Sequence, residues 1–187
     1  MANKVKYGLK NVYYAVATFS GDAVSYGSPV AIPGAVDMSL TKNGDTYDFY
    51  ADDGVYFEIS DNTYYEGDLE IALIPDGFRT AVLGEALDGK NVMFESADTV
   101  QTHFALLFEF TGDDKEILHV LYNCTAKESA VEGTTKGENI EVKTEKLTIT
   151  ARALPDGKIK SKTGATTDST TYDGWYSNVY TYTAVTT

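Results

Sequence analysis

Residues 103–126, "HFALLFEFTGDDKEILHVLYNCTA", constrain the fold more than any other stretch. Phe104, Leu106, Phe108 and Phe110 fall on one face of a strand, and Ala105 and Leu107 on the other. A strand that is apolar on both faces must be covered on both. The polar break after Phe110 reads as a hairpin loop from Gly112 to Lys115. It sets 111 against 116 and brings His103 nearly opposite Cys124. The hairpin is therefore expected to lie centrally, between a second layer and a helix.

The rest of the chain fits that demand. Its 187 residues suit one domain, which at this size buries about 70% of its unfolded surface without staples. Fourteen tyrosines, with frequent Thr and Val, favour pleated, half-buried surfaces. Residues 9–19 read as a first strand with Leu9 just before Val12, Tyr14 and Val16 on one face. Extended chain continues over 24–32, broken by Gly27 and Pro29. In "AVDMSLT", Val36, Met38 and Leu40 point one way and Asp37, Ser39 and Thr41 the other. "GDLEIALI" turns Leu69, Ile71 and Leu73 inward and Glu70 outward. Asp76 after Pro75 is an N-cap candidate for a helix whose stripe is Phe78, Val82, Leu83, Ala86 and Leu87, ended by Gly89. Residues 127–141 read as a loop. "VKTEKLTITARAL" forms a last long strand with Leu147, Ile149 and Ala151 inward.

The stretch "DFYADDGVYFEI", 48–59, is unusual for a solitary protein. A three-residue loop of Asp52, Asp53 and left-handed Gly54 pairs 51 with 55, 49 with 57 and 47 with 59. Tyr47, Phe49, Ala51, Val55, Phe57 and Ile59 then share one apolar face. The other carries Asp48 opposite Glu58 and Tyr50 opposite Tyr56. An apolar ribbon like this needs a cover, from its own domain or from a neighbour.

After Pro155-Asp156-Gly157, "KIKSKTGATTDSTTYDG" has almost no apolar content and cannot order itself by burial. Aromatics return in "WYSNVYTYT", so Trp175 and Tyr176 are the expected docking tip of an arm, on its own domain or on a neighbour. The chain divides into a β domain over 1–155, with a hairpin protruding near 43–60, and a flexible C-terminal arm over 156–187.

No catalytic constellation emerges. An EF-hand loop with Gly54 at its sixth position would put Phe49, Ala51 and Ser60 where oxygen or Glu ligands are required. A looser cation site from Asp45, Asp48, Asp52 and Asp53 stays open. His103, His119 and Cys124 are too few for zinc and read as strand residues. There is no nucleophile elbow, phosphate loop or dinucleotide fingerprint. The chain is expected not to be an enzyme and to need no cofactor or metal. One cysteine excludes an internal disulfide. The first ten residues lack the apolar run of a signal peptide, and no apolar stretch approaches the ~20 residues of a membrane helix. The expected setting is a reducing cytoplasm, with no membrane contact. Twenty-eight acids against 15 bases, net −13, speak against a grip on nucleic-acid phosphate.

Six segments, "GLKNVYYAV" (8–16), "IPGAVDMSL" (32–40), "FYADDGVYF" (49–57), "GDLEIALIPDGFRTAVLGE" (67–85), "FALLFEF" (104–110) and "LYNCTA" (121–126), resemble the major tail proteins of long, non-contractile-tailed phages. The likeness runs in order from residue 4 to about 163. It implies a mainly β fold, an antiparallel β-sandwich or barrel with one flanking helix. It implies hexameric rings stacked into a tail tube, with a hairpin between early strands reaching other subunits. Tyr47, Phe49, Tyr50, Asp52, Asp53, Tyr56 and Phe57 sit where that element would. The implied partners are other copies, the tape-measure protein, tail terminator and distal tail proteins, and DNA that passes without specific binding. The implied location is the virion tail, assembled in the host cytoplasm. Asp37, Glu70, Glu109 and Glu145 become candidates for the lumen wall. The alternative of another class is a carbohydrate- or receptor-binding β-sandwich.

Overall fold

In the computed structural model, residues 3–133, 135 and 142–183 are described, and the side chains of 45, 46 and 59–62 lie outside that set. The chain is mainly β, with one large antiparallel sheet and few helical residues. Its strands are β1 (Lys6–Ser20), β2 (Ala23–Tyr26), β3 (Val30–Ala31), β4 (Ala35–Ala51), β5 (Gly54–Ile71), β8 (Phe104–Gly112), β9 (Ile117–Glu128), β10 (Glu145–Arg152) and β11 (Lys160–Lys162). A two-stranded ribbon of β6 (Ala86–Leu87) and β7 (Met93–Phe94) stands apart. The main order is β2-β1-β8-β9-β10-β5-β4, with β3 on β1 and β11 on β9. The sheet bends until β4 comes against β1. Two walls, β1-β8-β9 and β10-β5-β4, then face each other across a core of Val12, Tyr14, Leu69, Ile71, Phe104, Leu106, Leu121, Leu147 and Ile149.

Local irregularities decide which side chains reach that core. Asn11 is left-handed (φ 51°), and an extra residue of β1 is accommodated between Lys10 and Tyr13. This changes the alternation, so Leu9 packs on the same core as Val12, Tyr14 and Val16. A further irregularity between Ala35 and Asp37 leaves Val36 exposed, while Met38 and Leu40 face inward as their alternation predicts. In β9 an extra residue near Tyr122 lets Leu121, Cys124 and Ala126 all reach the core. Cys124 consequently pairs with Phe104 rather than His103.

The helix is shorter than its apolar stripe suggests. α1 (Asp76–Phe78) passes into a π-helical turn, Arg79–Leu83, capped at the N-terminus by Pro75 without a side-chain bond. Gly84, not Gly89, ends it in the left-handed conformation, where a Cβ would lie 2.5 Å from Thr99 Cγ2. Phe78, Val82 and Leu83 plug the core, but Ala86 and Leu87 leave it for the exposed β6. Phe78 meets the rings of Tyr14 and Phe104 edge-on at 5.0 and 5.5 Å.

Residues 156–183 are a clasp on their own domain, not a free arm. β11 pairs with the first half of β9, and β10 pairs with the second half. α2 (Ser169–Asp173) follows, with Asp168 accepting from Thr171 N at 2.9 Å. Trp175 is 3% exposed and packs with Val179 on Ala15, Ala105, Leu107, Leu118 and Val120. The cover that the two-sided apolar hairpin demands is thus the core and helical turn on one face and the C-terminal segment on the other.

Candidate functional site

β5 has a second neighbour only over Tyr65–Ile71, where it pairs with β10. Beyond Tyr65 it pairs with β4 alone, up to Ala51 opposite Gly54. The nine residues of β4 from Asn43 to Ala51, at ~3.3 Å each, make a ribbon about 30 Å long outside the two walls. Its exposed aromatics are Tyr47, Phe49, Tyr50, Tyr56 and Phe57; with Val55, exposures run from 54% (Val55) to 72% (Tyr56). Among the described residues, none covers this ribbon.

The turn differs from the three-residue loop expected. Asp52 and Asp53 are both left-handed, at φ 52° and 60°, and Gly54 is not. That is the two-residue turn with two positive-φ centres, and aspartate tolerates this conformation. Tyr50 then faces Val55 rather than Tyr56. An irregularity next to Phe49 absorbs Tyr56 as an extra residue and restores Phe49 to Phe57, Asp48 to Glu58 and Tyr47 to Ile59. The apolar register survives at 49/57 and 47/59 but not at 51/55, because Ala51 pairs with Gly54 and Val55 moves opposite Tyr50. Tyr56 meets Phe49 edge-on at 6.4 Å, and Tyr50 Oη reaches Asp48 at 3.5 Å.

The second surface is the outward face of β10-β5-β4. Glu66, Asp68 and Glu70 alternate along β5 and share this face, because Leu69 and Ile71 fill the other. Their cross-strand partners are Thr41, Ser39 and Asp37 on β4 and Thr150, Thr148 and Lys146 on β10. Thr148 Oγ1 donates to Asp68 at 2.9 Å, Thr144 Oγ1 donates to Glu70, and Lys146 Nζ lies 3.6 Å from Glu70. Gly67 keeps the row tight: a Cβ there would fall 1.9 Å from the Ser39 carbonyl oxygen. Sequence reading found Asp37 and Glu70 and missed Glu66 and Asp68. The alternation of "EGDLE" with Leu69 was the available signal.

Glu109 and Glu145 do not join that face. Glu109 is 5% exposed under the clasp. It accepts from Tyr176 Oη and Asn11 Nδ2, each at 2.9 Å, with Lys10 Nζ at 3.5 Å. Burial first, and the hydrogen bond to Glu109 second, push the Tyr176 phenol well above its usual range. Glu145 shares the parity of Leu147, so it points to the core side at the end of β10. There it accepts from Ile74 N at 2.6 Å and meets Arg79 at 3.4 Å. Arg79 also makes a two-pronged contact to Glu128 (2.8 and 3.1 Å) and reaches Glu85 at 3.1 Å. The outward exposure assigned to both acids from the sequence is corrected accordingly. One is roofed by the clasp and the other is tied to the helical turn.

A third feature lies at the base of the ribbon, where the two walls part. Lys6, Met38, Leu40, Tyr65, Phe108, His119 and Lys160 are among the residues lining a cavity of about 190 Å³. His119 stacks on Phe108 at 5.0 Å, and its buried Nε2 has no hydrogen-bond partner among the described residues. Burial, with Lys6, Lys160 and Lys162 nearby, pushes its pKa down to about 4. Sequence reading treated His119 only as a strand residue.

The predicted docking residues are both placed. Trp175 Nε1 donates to the His119 carbonyl at 3.3 Å, and Tyr176 packs on Tyr13 with ring centres 4.8 Å apart. Among the described residues, no group of three or more His, Cys, Asp or Glu side chains could hold a metal ion. The Asp45 side chain of the acid cluster considered above, like that of Ile59, lies outside the described set. No helix of the described chain is long and apolar enough to cross a membrane.

No family model and no curated protein matches this chain. Among solved structures, the cryo-EM structure of the anti-feeding prophage cap (AFP tube terminating cap) aligns at a TM-score of 0.46 and 10% identity, over 86% of this chain and 94% of that one.

Proposed function

We propose that this chain is a structural subunit of a phage tail tube. It self-assembles into stacked rings, six subunits each by the sequence resemblance, that conduct DNA at ejection. The observation that carries the reading is the ribbon. Five aromatic side chains stand in solvent on an element about 30 Å long with no cover from its own domain. Contiguous apolar surface of this kind marks an association site. The residue likeness at 49–57 supports reading this ribbon as the subunit-bridging element. The acid row on β5 supports the conduit, because carboxylates along a passage repel phosphate and keep DNA from sticking. The role is structural and not catalytic. Tape-measure, terminator and distal tail proteins are the further partners, in the virion tail.

Deleting residues 46–59 tests the reading. Among the described residues, no core side chain comes from this segment, so the shortened protein should unfold at an unchanged denaturant midpoint. Negative stain should show rings or tubes for the full chain and none for the deletion. Polymerisation that survives the deletion would overturn the proposal.

A further inference from the structure

The ribbon needs a receptor on the next subunit, and the cavity at its base has the matching chemistry. The cavity's volume, about 190 Å³, slightly exceeds the ~150 Å³ of a protein cavity that takes up benzene. It is large enough to admit one aromatic side chain. Its walls include Met38, Leu40, Phe108, Phe110 and His119. Two cations stand at its rim: Lys6 Nζ lies 4.3 Å from the Phe110 ring centre, and Lys160 Nζ lies 4.3 Å from that of Tyr65. Neither lysine has a carboxylate partner among the described residues. In a protein of net charge −13, an apolar cavity with an unmatched basic rim is a local exception.

The tip of the ribbon is the complement. Asp52 and Asp53 occupy the turn, and Tyr56, the residue that the ribbon's irregularity leaves without a partner, is its most exposed aromatic. An irregularity of this kind re-aims a side chain. The tip cannot serve its own cavity, because the ribbon holds it about 30 Å from the base. We infer that the tip of one copy seats in the cavity of the next, with the Tyr56 ring between the walls and Asp52 and Asp53 against Lys6 and Lys160. Donor and receptor are different patches, so the contact is head-to-tail and propagates until it closes a ring or extends a tube. This rests on the tail-tube reading and names the surface that the ribbon occupies within it.

All five charged or phenolic groups involved, Asp52, Asp53, Tyr56, Lys6 and Lys160, are exposed, so these substitutions leave folding intact. The test uses the full chain at about 0.05 M salt, where exposed charge pairs are least screened. One variant carries Asp52→Lys and Asp53→Lys; the other carries Lys6→Glu and Lys160→Glu. Each alone opposes like charges at every junction and should lose association at least tenfold by sedimentation velocity. Mixed in equal amounts they oppose unlike charges at every junction, and association should return to within threefold of the parent. Tyr56→Ser should weaken the parent as well. A mixture that stays dispersed, or a Lys6/Lys160 variant that assembles like the parent, assigns the cavity another occupant and overturns the inference. If the 46–59 deletion still abolishes assembly in that case, the tail-tube reading stands without it. If the deletion assembles normally, both fall.

Discussion

At the scale of single residues, His119 is the group most exposed to a change of conditions. Its imidazole lies between Phe108, Phe110 and three lysines, and burial holds its pKa near 4 against an ordinary 6.5. Well above pH 6.5 the ring is neutral whether the chain is folded or not, and it contributes no pH dependence. As pH falls from 6.5 toward 4 the unfolded chain takes up a proton that the folded chain refuses. Stability must therefore decline across that window. His119→Gln removes the titration. Urea midpoints measured at pH 7 and pH 4.5 should fall further apart in the parent than in the variant; equal gaps would show that His119 is not protonated differently on unfolding. Residue types gave this position away only in part. One histidine among apolar strand neighbours announces burial, but its unmatched Nε2 and the flanking lysines come from β1 and β11, far away in sequence. Glu109 shows the same limit. Alternation correctly turned it away from Phe108 and Phe110, yet the roof above it is Tyr176, 67 residues later.

At the scale of elements, the strands were legible wherever alternation was strict. Val12, Tyr14 and Val16, Met38 and Leu40, Leu69 and Ile71, and Leu147, Ile149 and Ala151 all face as their spacing predicts, whereas Leu73, expected inward, lies past the end of β5 and is exposed. What alternation cannot supply is an irregularity that costs one residue and flips the phase, as at Asn11, Val36 and Tyr122. The two-residue turn at Asp52-Asp53 escaped notice because glycine is the usual left-handed residue and Gly54 stood beside it. The C-terminal clasp was hidden by composition. Residues 158–174 are too polar to order themselves, but β11 gains its place by pairing with β9, and Trp175 anchors the end. Trp175→Ala should therefore cost about 3–5 kcal/mol in urea unfolding, the usual loss for a large buried aromatic. It should also raise dye binding to the uncovered face of Ala105, Leu107 and Val120. An arm that merely hung from the domain would leave both measurements unchanged.

At the scale of the whole molecule, two outer faces of one sheet have opposite fates. The face of β1-β8-β9 is apolar and closed by the clasp, whereas that of β10-β5-β4 is polar and open, with Glu66, Asp68 and Glu70 in a row. An open acidic face is either plain solvent surface or, on the proposed tail-tube reading, the wall of a conduit, and the two differ in how DNA responds to charge reversal inside an assembled tube. Each exposed like-charge pair contributes only about 1 kcal/mol at 4 Å in water and fades beyond ~10 Å. Repetition around a ring makes such terms collective, enough to prevent adhesion without blocking passage. Glu66→Lys, Asp68→Lys and Glu70→Lys together turn repulsion into attraction. Tubes of this variant, checked by negative stain, should retain short duplex DNA within the lumen at about 0.15 M salt, protected from nuclease. Retention should fall steeply as salt rises, because binding then depends on released counterions. Parent tubes should retain none. If the reversed tubes gain DNA that nuclease removes completely, the acid row lies on the outer wall, and the conduit must be lined by a different face.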